Sequence, residues 1–452
     1  MSHNGFELLN ALWYKALVNL VKLLPFLIVG LSPFVFGSQA ENFGLDAQST
    51  GRAGSVTAEE TSAHAAFFNP ALLATQKQTH FSFSTSQVEV KVNEFDSVLL
   101  PRALRSSDDP VKDRYQLPAL SQTRWSVGFN QPLRFKALSR TGGLGFSFSG
   151  PYEKLRGFVA HAPDDFFTAR YGTADGQFKG TASLGFELVP DTLFFGTGLS
   201  LFLSGAGVAE TSLSSNPSSR LNLDVVLEKA PVVGLYAKAG SFSSALTYHQ
   251  KIDPILEQEM KAKVRINGRD TFEQPVLMRS SLYFEPKTFE WELAQKSRAF
   301  AWSVGLSYQL WNEYQAPVLF TETQGLTGAP LRTVYGSAPT RNTVNPRASL
   351  GLNLSSSSRA SLGYQFRPTP FFDLSGTSNV LDADTHIVGM ALEHQFSDSW
   401  VLGTPLNLGV FGQIHQFKDR EIVKTAQKGG PSSTFTFTGN AVVLGVSAQA
   451  EL

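Results

Sequence analysis

The stretch AFAWSVGLSYQLW, residues 299–311, alternates between large apolar and small or polar side chains. Its even positions carry Phe, Trp, Val, Leu, Tyr and Leu, and the odd positions between them carry Ala, Ser, Gly, Ser and Gln. Because successive side chains of a strand point to opposite faces, this pattern predicts a strand with one apolar face and one small, polar face.

The same period of two recurs along most of the chain. It is clear in GLGFSFSG (143–150), TLFFGTGLSLFLS (192–204), ASLGLNL (348–354) and ASLGYQF (360–366). The segments run for roughly 9 to 13 residues, nearer the length that crosses a bilayer at a tilt than the five or six of soluble strands. The small, polar face suits a polar lumen better than a packed core. Aromatic residues near segment ends, at Trp125, Phe129, Trp302 and Trp311, are typical of interfacial girdles.

These features predict an all-β fold, a transmembrane antiparallel β-barrel, rather than a secreted soluble β-protein. Sixteen segments alternate: 79–92, 123–133, 142–150, 181–189, 192–204, 229–240, 242–251, 259–267, 276–286, 288–296, 300–311, 347–354, 359–366, 385–397, 405–418 and 434–452. The segments 259–267 and 288–296 alternate least, so we expect fourteen to sixteen strands. If the N-terminus and the last residue of the barrel lie on the same side of the membrane, all the long connections lie on the other side, as in outer-membrane barrels. These connections are 93–122, 151–180, 205–228, 312–346, 367–384 and 419–433.

Composition excludes several function classes. Lys and Arg together number 38, as do Asp and Glu, so the chain lacks the basic excess that a nucleic-acid binder needs. The absence of cysteine excludes disulfides, thiolate metal sites and a cysteine nucleophile. The sequence has no phosphate-binding loop, zinc-protease motif or nucleophile elbow, so we expect neither an enzyme nor a cofactor.

The N-terminus has the features of a secretory signal. An apolar run, LLPFLIVGLSPFVF (23–36), follows Lys15 and Lys22 and precedes Ser38-Gln39-Ala40, a small-residue cleavage site. The run is short for a membrane-spanning helix. We therefore predict that residues 1–40 are a signal peptide, the alternative being a membrane anchor or a buried helix.

Two blocks resemble the FadL-like family of outer-membrane long-chain fatty-acid transporters. The first is GLDAQSTGRAGSVTAEETSAHAAFFNPALLA (44–74), and the second is LGYQFRPTPFFDLSGTSNVLDADTHIVGMALEHQF (362–396); LSYQLWNEY (306–314) is a weaker third. No motif matches between about 93 and 275. The resemblance implies that residues 41–78 fold as a hatch inside a barrel formed by residues 79–452. The family also includes transporters of monoaromatic hydrocarbons, so the ligand class stays open.

The first candidate site is the stretch Phe67, Phe68, Asn69, Pro70 and Ala71. Proline lacks a backbone donor and disfavours helical torsion angles in the residue before it, so a bend is expected at this step. Such a bend could present both phenylalanines to a ligand and act as a gate. The alternative is a plain loop before the first strand, and the resemblance favours the hatch.

The second candidate is Arg367 with Phe371 and Phe372. The guanidinium could bind a ligand carboxylate while the rings hold an apolar tail. The residues alone favour a solvated arginine or a lipopolysaccharide contact. Asp382, Asp384 and His386 have spacing that could suit a metal, but a polar strand entry, with His386 towards the lumen, explains them and we predict no metal site.

Together these observations predict a monomeric bacterial outer-membrane protein for passive uptake of hydrophobic small molecules. Long-chain fatty acids are the favoured ligands, and outer-membrane lipid and lipopolysaccharide are expected partners. The competing hypotheses are a general porin or structural barrel, uptake of aromatic hydrocarbons, and an outer-membrane phospholipase or protease.

Overall fold

The computed structural model describes most of the chain after residue 42. The described residues are 43–58, 63–95, 117, 119–135, 140–152, 166–171, 178–213, 218–253, 255–266, 269–281, 284–316, 320–324, 330–332, 338–375, 380–397, 403–424 and 433–452. The predicted signal peptide, residues 1–40, lies outside them. Within these ranges no helix has the length and apolarity needed to cross a membrane.

Strands dominate the described residues. They are β1 (His80–Val92), β2 (Leu120–Phe135), β3 (Arg140–Pro151), β4 (Phe167–Thr168), β5 (Lys179–Val189), β6 (Leu193–Leu213), β7 (Ser218–Ala239), β8 (Phe242–His249), β9 (Ile255–Ile266), β10 (Arg269–Ser281), β11 (Lys287–Lys296), β12 (Phe300–Leu310), β13 (Phe320–Gln324), β14 (Pro330–Arg332), β15 (Thr343–Asn353), β16 (Ser358–Arg367), β17 (Val380–Leu381), β18 (Thr385–Phe396), β19 (Leu406–Phe417), β20 (Arg420–Lys424), β21 (Ser433–Phe437) and β22 (Gly439–Glu451).

Among these, fourteen strands form a closed antiparallel barrel, which confirms the predicted fold class. Their order around the wall is β1, β2, β3, β5, β6, β7, β8, β11, β12, β15, β16, β18, β19 and β22. The last strand closes the wall by pairing with the first, from His80 opposite Glu451 to Val92 opposite Gly439.

The larger predicted count of sixteen is wrong. The predicted segments 259–267 and 276–286 overlap β9 and β10, a hairpin outside the wall, whereas 288–296 lies in the wall strand β11. The hairpin has a place to pair because β6 and β7, with 21 and 22 residues, extend past the end of the wall. There β9 pairs in parallel with β6, and β10 pairs with β13. Alternation identifies a strand but does not say whether the strand belongs to the wall.

The connections sort into two ends of the barrel, as predicted. The strand ends from which the short connections leave, those of β2, β5, β7, β11, β15 and β18, lie at one end, together with the start of β1 and the end of β22. We call this the turn end. The opposite end, with the long connections, is the loop end. The long connection 250–286, which contains β9 and β10, was missed from the sequence.

The two faces of the wall differ as the alternation predicts. In β12, Ser303 and Ser307 are 1% and 2% exposed, whereas Val304 and Leu306 are 40% and 43% exposed. Exposed apolar side chains of this kind include Phe83, Phe146, Phe148, Leu184, Leu199, Leu235, Leu246, Phe289, Trp291, Leu350, Leu362, Met390, Leu392, Val410, Ile414, Leu444 and Val446. An outward apolar belt is the surface that a bilayer covers. Trp311 does not belong to a girdle, because it is buried against Phe284 and Tyr314.

The N-terminal segment, described here over residues 43–58 and 63–78, lies inside the barrel. It forms α1 (Ala47–Gly51), α2 (Ala65–Phe68) and a 3₁₀ helix (Pro70–Thr75), and almost all of its described residues up to Gln76 are buried. Wall groups on every side contact it: Ser82, Ser84, Ser126, Ser147, Ser183, Gly196, Gly234, Ser243, Glu292, Ser303, Arg347, Gly363, Gly389 and Gln413. The small inner face is therefore a packed seat for this segment.

Glycines let the 3₁₀ helix lie directly on the wall. A Cβ on Gly196 would lie 2.2 Å from the carbonyl carbon of Pro70, and one on Gly185 would lie 2.7 Å from the Pro70 oxygen. Backbone cannot retreat as a flexible side chain can. Any larger residue at these positions would have to displace the helix.

We expect Gly196→Ala to lower the free energy of unfolding by about 1–3 kcal/mol, because the new methyl group overpacks the contact with Pro70. The temperature at which the barrel loses the gel mobility of its folded form should be lower, and a protease should cleave the N-terminal segment faster. Gly412→Ala is the matched control, since its Cβ would meet the flexible end of Leu444 at 3.1 Å and the Val443 oxygen at 3.5 Å, an ordinary contact distance. Equal losses of stability in the two variants would contradict the close packing of the 3₁₀ helix on Gly196.

Candidate functional site

A cavity of about 100 Å³ lies in the lumen between the N-terminal segment and the loop end, and we call it the upper cavity. Its lining combines apolar and charged groups: Gly44, Leu45, Ser49, Ala53, Gly54, Phe67, Phe68, Arg170, His249, Glu285, Pro286, Thr288, Glu290, Ser307, Gln309, Trp311, Arg347, Gln365, Arg367, Ile387 and Gln413. Aromatic rings and guanidinium groups therefore face one space.

The predicted residues Phe67 and Phe68 both line the upper cavity. Their rings meet edge to face with centroids 5.0 Å apart. The Lys179 ammonium lies 4.6 Å from the centre of the Phe67 ring, and its Nζ is 2.6 Å from the Glu285 carboxylate. A cation over an aromatic face is attracted by the ring quadrupole, so Phe67 is held in place from the wall.

Asn69, Pro70 and Ala71 lie beneath the cavity rather than on its surface. The Asn69 backbone is extended, with φ −157° and ψ 104°, and it separates α2 from the 3₁₀ helix. The chain therefore changes direction at this residue, as the Asn-Pro step predicts. Its side-chain amide donates to the carbonyls of Thr57 and Leu235, at 3.0 and 3.3 Å, and its oxygen accepts from the Ala71 amide at 3.1 Å. Asn69 thus caps the 3₁₀ helix and joins two parts of the segment to the wall.

Of the second predicted group, only Arg367 lines the cavity. It ends β16 at the loop end, is half-buried, and donates to the Gln365 side-chain oxygen at 3.1 Å. Phe371 is fully buried near Tyr314, with ring centroids 5.2 Å apart, and Phe372 is 57% exposed. The two phenylalanines are therefore not placed where they could hold a ligand beside Arg367 in this cavity.

An aromatic cap lies at the loop end. We define the cap as residues 166–171, 368–375, 380–384, 420–424 and 433–437. Its buried side chains include Phe166, Phe167, Phe371, Leu374, Val380, Leu381, Ile422, Phe435 and Phe437. Phe43, at the start of the N-terminal segment, reaches this region and lies 5.3 Å from the His415 ring. The segment therefore extends from the turn end to the cap.

Asp382, Asp384 and His386 do not converge. Asp382 forms a buried ion pair with Arg170, with Nη2 and Oδ2 2.7 Å apart, and also accepts from the Thr369 hydroxyl at 2.6 Å. Asp384 accepts from the Thr369 amide, and His386 lies on the outer face beside the Tyr364 hydroxyl, not towards the lumen. Within the described ranges no three metal-binding side chains form a group.

A buried charge cluster was missed from the sequence. Arg347 on β15 lies 3.1 Å from Glu290 and 3.3 Å from Glu292, both on β11. The Glu292 carboxylate, fully buried, accepts from the Ser55 and Thr57 hydroxyls and from the Ala58 amide, at 3.2, 3.1 and 3.3 Å. Buried charges need such partners. Charged residues at inward positions of alternating strands were the available signal.

His64 was also missed. Its ring lies in the wall seat, 2.8 Å from the Ser147 hydroxyl and 3.2 Å from that of Ser82. Burial, opposed by the nearby Asp46 carboxylate, lowers the pKa of His64. A neutral imidazole can both donate to and accept from the surrounding hydroxyls, so His64 anchors the segment to β1 and β3.

A second cavity, of about 730 Å³, opens at the turn end, and we call it the vestibule. Its lining includes many polar side chains, both basic and acidic: Gln48, His80, Lys296, Ser297, Arg298, Ala299, Ala301, Asn353, Ser355, Ser356, Ser357, Ser358, Arg359, Glu393, Gln395, Pro405, Asn407, Gln449 and Glu451. It lies on the opposite side of the N-terminal segment from the upper cavity.

We expect Asn69→Asp to lower the free energy of unfolding by about 1–3 kcal/mol, because a carboxylate oxygen would replace the amide that donates to two carbonyls. Denaturation of the folded barrel, monitored by gel mobility, measures this effect. Asn353→Asp is the control, since that exposed side chain makes one hydrogen bond at the turn end. Losses of the same size in both variants would show that Asn69 has no special role.

Solved structures with a similar fold were found, although no family model and no curated relative matches the sequence. A FadL homologue from Pseudomonas aeruginosa superposes with a TM-score of 0.60 and 13% identity, covering 90% of this chain and 98% of that one. The toluene transporter TodX from P. putida gives 0.55 and 12%, covering 91% and 99%. The toluene transporter TbuX from Ralstonia pickettii gives 0.50 and 10%, covering 90% and 98%. The chain therefore has a FadL-like barrel fold.

Proposed function

We propose that this protein is an outer-membrane barrel for passive uptake of hydrophobic small molecules, and that its ligands are amphiphiles with an acidic headgroup, above all long-chain fatty acids. The observation that carries this proposal is the upper cavity, where Phe67 and Phe68 face the same space as Arg367. The FadL homologue and the toluene transporters share the fold and are consistent with a hydrophobic ligand.

Burial drives ligand entry. Each methylene moved from water into an apolar site contributes about 0.8 kcal/mol, so a long acyl chain has a large driving force to leave water. A carboxylate at Arg367 gains charge-assisted hydrogen bonds, which fix the orientation of the chain. Uptake down a concentration gradient needs no energy source at the barrel.

The size of the upper cavity supports a gated mechanism. Ligand pockets typically measure about 300–1,000 Å³, whereas the upper cavity measures about 100 Å³. A long-chain amphiphile would therefore require the N-terminal segment or the cap to move. On this proposal residues 41–78 act as the hatch.

Monoaromatic hydrocarbons are the second candidate. An apolar cavity of roughly 150 Å³ is sufficient for benzene in another protein, so a small ring needs less rearrangement here than an acyl chain. Phe67, Phe68 and Trp311 would contact such a ring. The charged groups in the same lining favour the acidic amphiphile, because a hydrocarbon would make no use of them.

A general porin and a lipid hydrolase are less consistent with the geometry. A general porin needs a water-filled pore, but here the described N-terminal segment occupies the lumen. A lipid hydrolase needs an accessible nucleophile. The His64–Ser147 pair has suitable spacing, but both side chains are buried between the segment and the wall and line neither cavity. Contacts with outer-membrane lipid and lipopolysaccharide, and the monomeric state, stay predictions.

We expect Arg367→Gln to weaken oleate binding by about tenfold to a hundredfold, because charge-assisted hydrogen bonds are lost. Toluene binding should be unchanged, since toluene has no charged group. Calorimetry on the purified barrel in detergent measures both. Arg341→Gln, an exposed arginine outside the cavity, is the control. Tight toluene binding with no detectable oleate binding would favour the hydrocarbon instead.

A further inference from the structure

Strand β15 carries buried polar atoms without partners at three successive inward positions. Thr343, Asn345 and Arg347 are 3%, 0% and 6% exposed. The Thr343 hydroxyl, both polar atoms of the Asn345 amide and the Arg347 Nε form no hydrogen bond with any described residue. Since neighbouring positions are two residues apart, they form a row of about 13 Å along the strand. We call this row the polar strip.

Asn345 is the central residue of the polar strip. Among the buried amide side chains of the described ranges, it is the one whose donor and acceptor both lack a partner. Native proteins satisfy almost all of their buried polar atoms, because a buried donor or acceptor without a partner destabilises the fold. The Asn345 amide therefore has a hydrogen-bonding capacity that the described protein groups leave for a ligand.

The neighbours of Asn345 line the upper cavity. Ser307 lies directly opposite Asn345 on β12, and Arg347 follows it on the same face of β15. Beyond the last pair of the β15–β16 ladder, Arg347 with Gln365, the next inward residue of β16 is Arg367. All four of these neighbours line the cavity, and Asn345, which is fully buried, lies among them.

The two atoms of the amide require two different groups in a ligand. The side-chain Nδ2 is a donor and suits a carboxylate, which only accepts. The Oδ1 is an acceptor and needs a hydroxyl or another donor. A fatty acid without a hydroxyl supplies no donor once its carboxyl is ionised, and the adjacent Arg367 guanidinium favours the ionised form. A hydrocarbon supplies neither group.

We propose that the upper cavity binds acyl acids that carry a hydroxyl on carbon 2 or carbon 3, and that Asn345 recognises this hydroxyl. Arg367 and the Asn345 amide nitrogen donate to the carboxylate, and the hydroxyl donates to the Asn345 amide oxygen. The hydroxyl has to be close to the carboxylate, because the two amide atoms belong to one small planar group. The inference rests on the proposed function and narrows its ligand class.

This contact requires only the rotation of side chains. Gln309, near Asn345, accepts a hydrogen bond from the Trp311 Nε1 at 3.1 Å, and Arg367 donates to Gln365 at 3.1 Å. Glutamine and arginine side chains are long, and a change of their rotamers leaves the backbone in place. On this proposal such a change exposes the amide to the cavity, whose volume of about 100 Å³ suits the polar end of the ligand.

A site of this kind distinguishes mirror images. The hydroxyl, the carboxylate arm and the acyl tail leave the hydroxyl-bearing carbon in three directions. Fixed partners for the first two set the direction of the tail, so only one enantiomer of a 3-hydroxy acid can satisfy all three. The enantiomers have the same charge and the same apolar surface. A difference in their affinities therefore reports the site and not the hydrophobicity of the ligand.

Calorimetry on the purified barrel in detergent tests the inference, with the two enantiomers of 3-hydroxydodecanoate and with dodecanoate as ligands. We expect the Kd values of the enantiomers to differ by at least about fivefold, the effect of one hydrogen bond. The preferred enantiomer should bind about tenfold more tightly than dodecanoate, although it is the more polar compound.

Asn345→Leu removes both hydrogen-bonding atoms and keeps the branched shape of the side chain. We expect this variant to bind the two enantiomers equally, and dodecanoate more tightly than either, because the ligand hydroxyl then has no partner.

Thr247→Val on β8 is the matched control. The Thr247 hydroxyl is also buried without a hydrogen bond to a described residue, but Thr247 lines neither cavity. This variant should keep the preference between the enantiomers. Neither variant should unfold at a lower temperature than the unmodified barrel, because each loses a buried polar atom without a partner.

Equal affinities of the unmodified barrel for the two enantiomers would overturn the inference, whether or not the variants fold, and the proposed function would stand as long as the barrel binds oleate. A preference that persists in Asn345→Leu, or that Thr247→Val also abolishes, would overturn the assignment to Asn345. If the unmodified barrel bound none of these acids, the proposed function would fail and the inference would fail with it.

Discussion

The structure depends on how a barrel with a small-residue inner face fills its lumen. Large inward side chains would fill the space, but this wall carries glycine and serine there, and the N-terminal segment fills it instead. Few residues of the segment are helical, so its backbone needs hydrogen-bond partners from the wall. Ser84 and Ser183 accordingly donate to the Leu45 and Ala66 carbonyls, and Glu292 accepts from the Ala58 amide. The small polar residues of the wall therefore complement the conformation of the segment, in both packing and hydrogen bonding.

The sequence predicted the parts of the fold that depend on a single strand. In β12 the alternation assigns each residue to the correct face, because a one-residue slip would turn an apolar side chain inward. The same signal failed for β9 and β10, whose pairing depends on how far β6 and β7 extend past the wall. It also misassigned Trp311, since an aromatic residue near a strand end is equally compatible with a lipid interface and with the buried cluster of Phe284 and Tyr314. Such choices are made by tertiary contacts that no local pattern encodes.

The candidate site was predictable only in part, for a related reason. Phe67 and Phe68 stand out as apolar residues beside a bend, and both reach the upper cavity. Arg367 was visible as a charge at a strand end. The residues that fasten the segment, Glu292 and Arg347, look ordinary in sequence, and only their inward register shows that they must be paired inside the barrel. Phe371, close to the arginine in sequence, instead packs in the cap beside Tyr314.

Polar attachment has a consequence for movement. A segment held by an apolar core would lose the whole burial energy on displacement, whereas hydrogen bonds to serine and glutamate can be exchanged for bonds to water at modest net cost. The two parts of the N-terminal segment differ in this respect. The 3₁₀ helix carries Leu72 and Leu73 into a small apolar cluster with Phe194 and Tyr236. The stretch 47–55 has one apolar contact, since Ala47 belongs to a buried cluster with Ala391 and Phe411, but the Ser55 and Thr57 hydroxyls at its end donate to Glu292. Mobility is therefore expected where polar contacts adjoin the cavities, and rigidity where leucines pack against the wall.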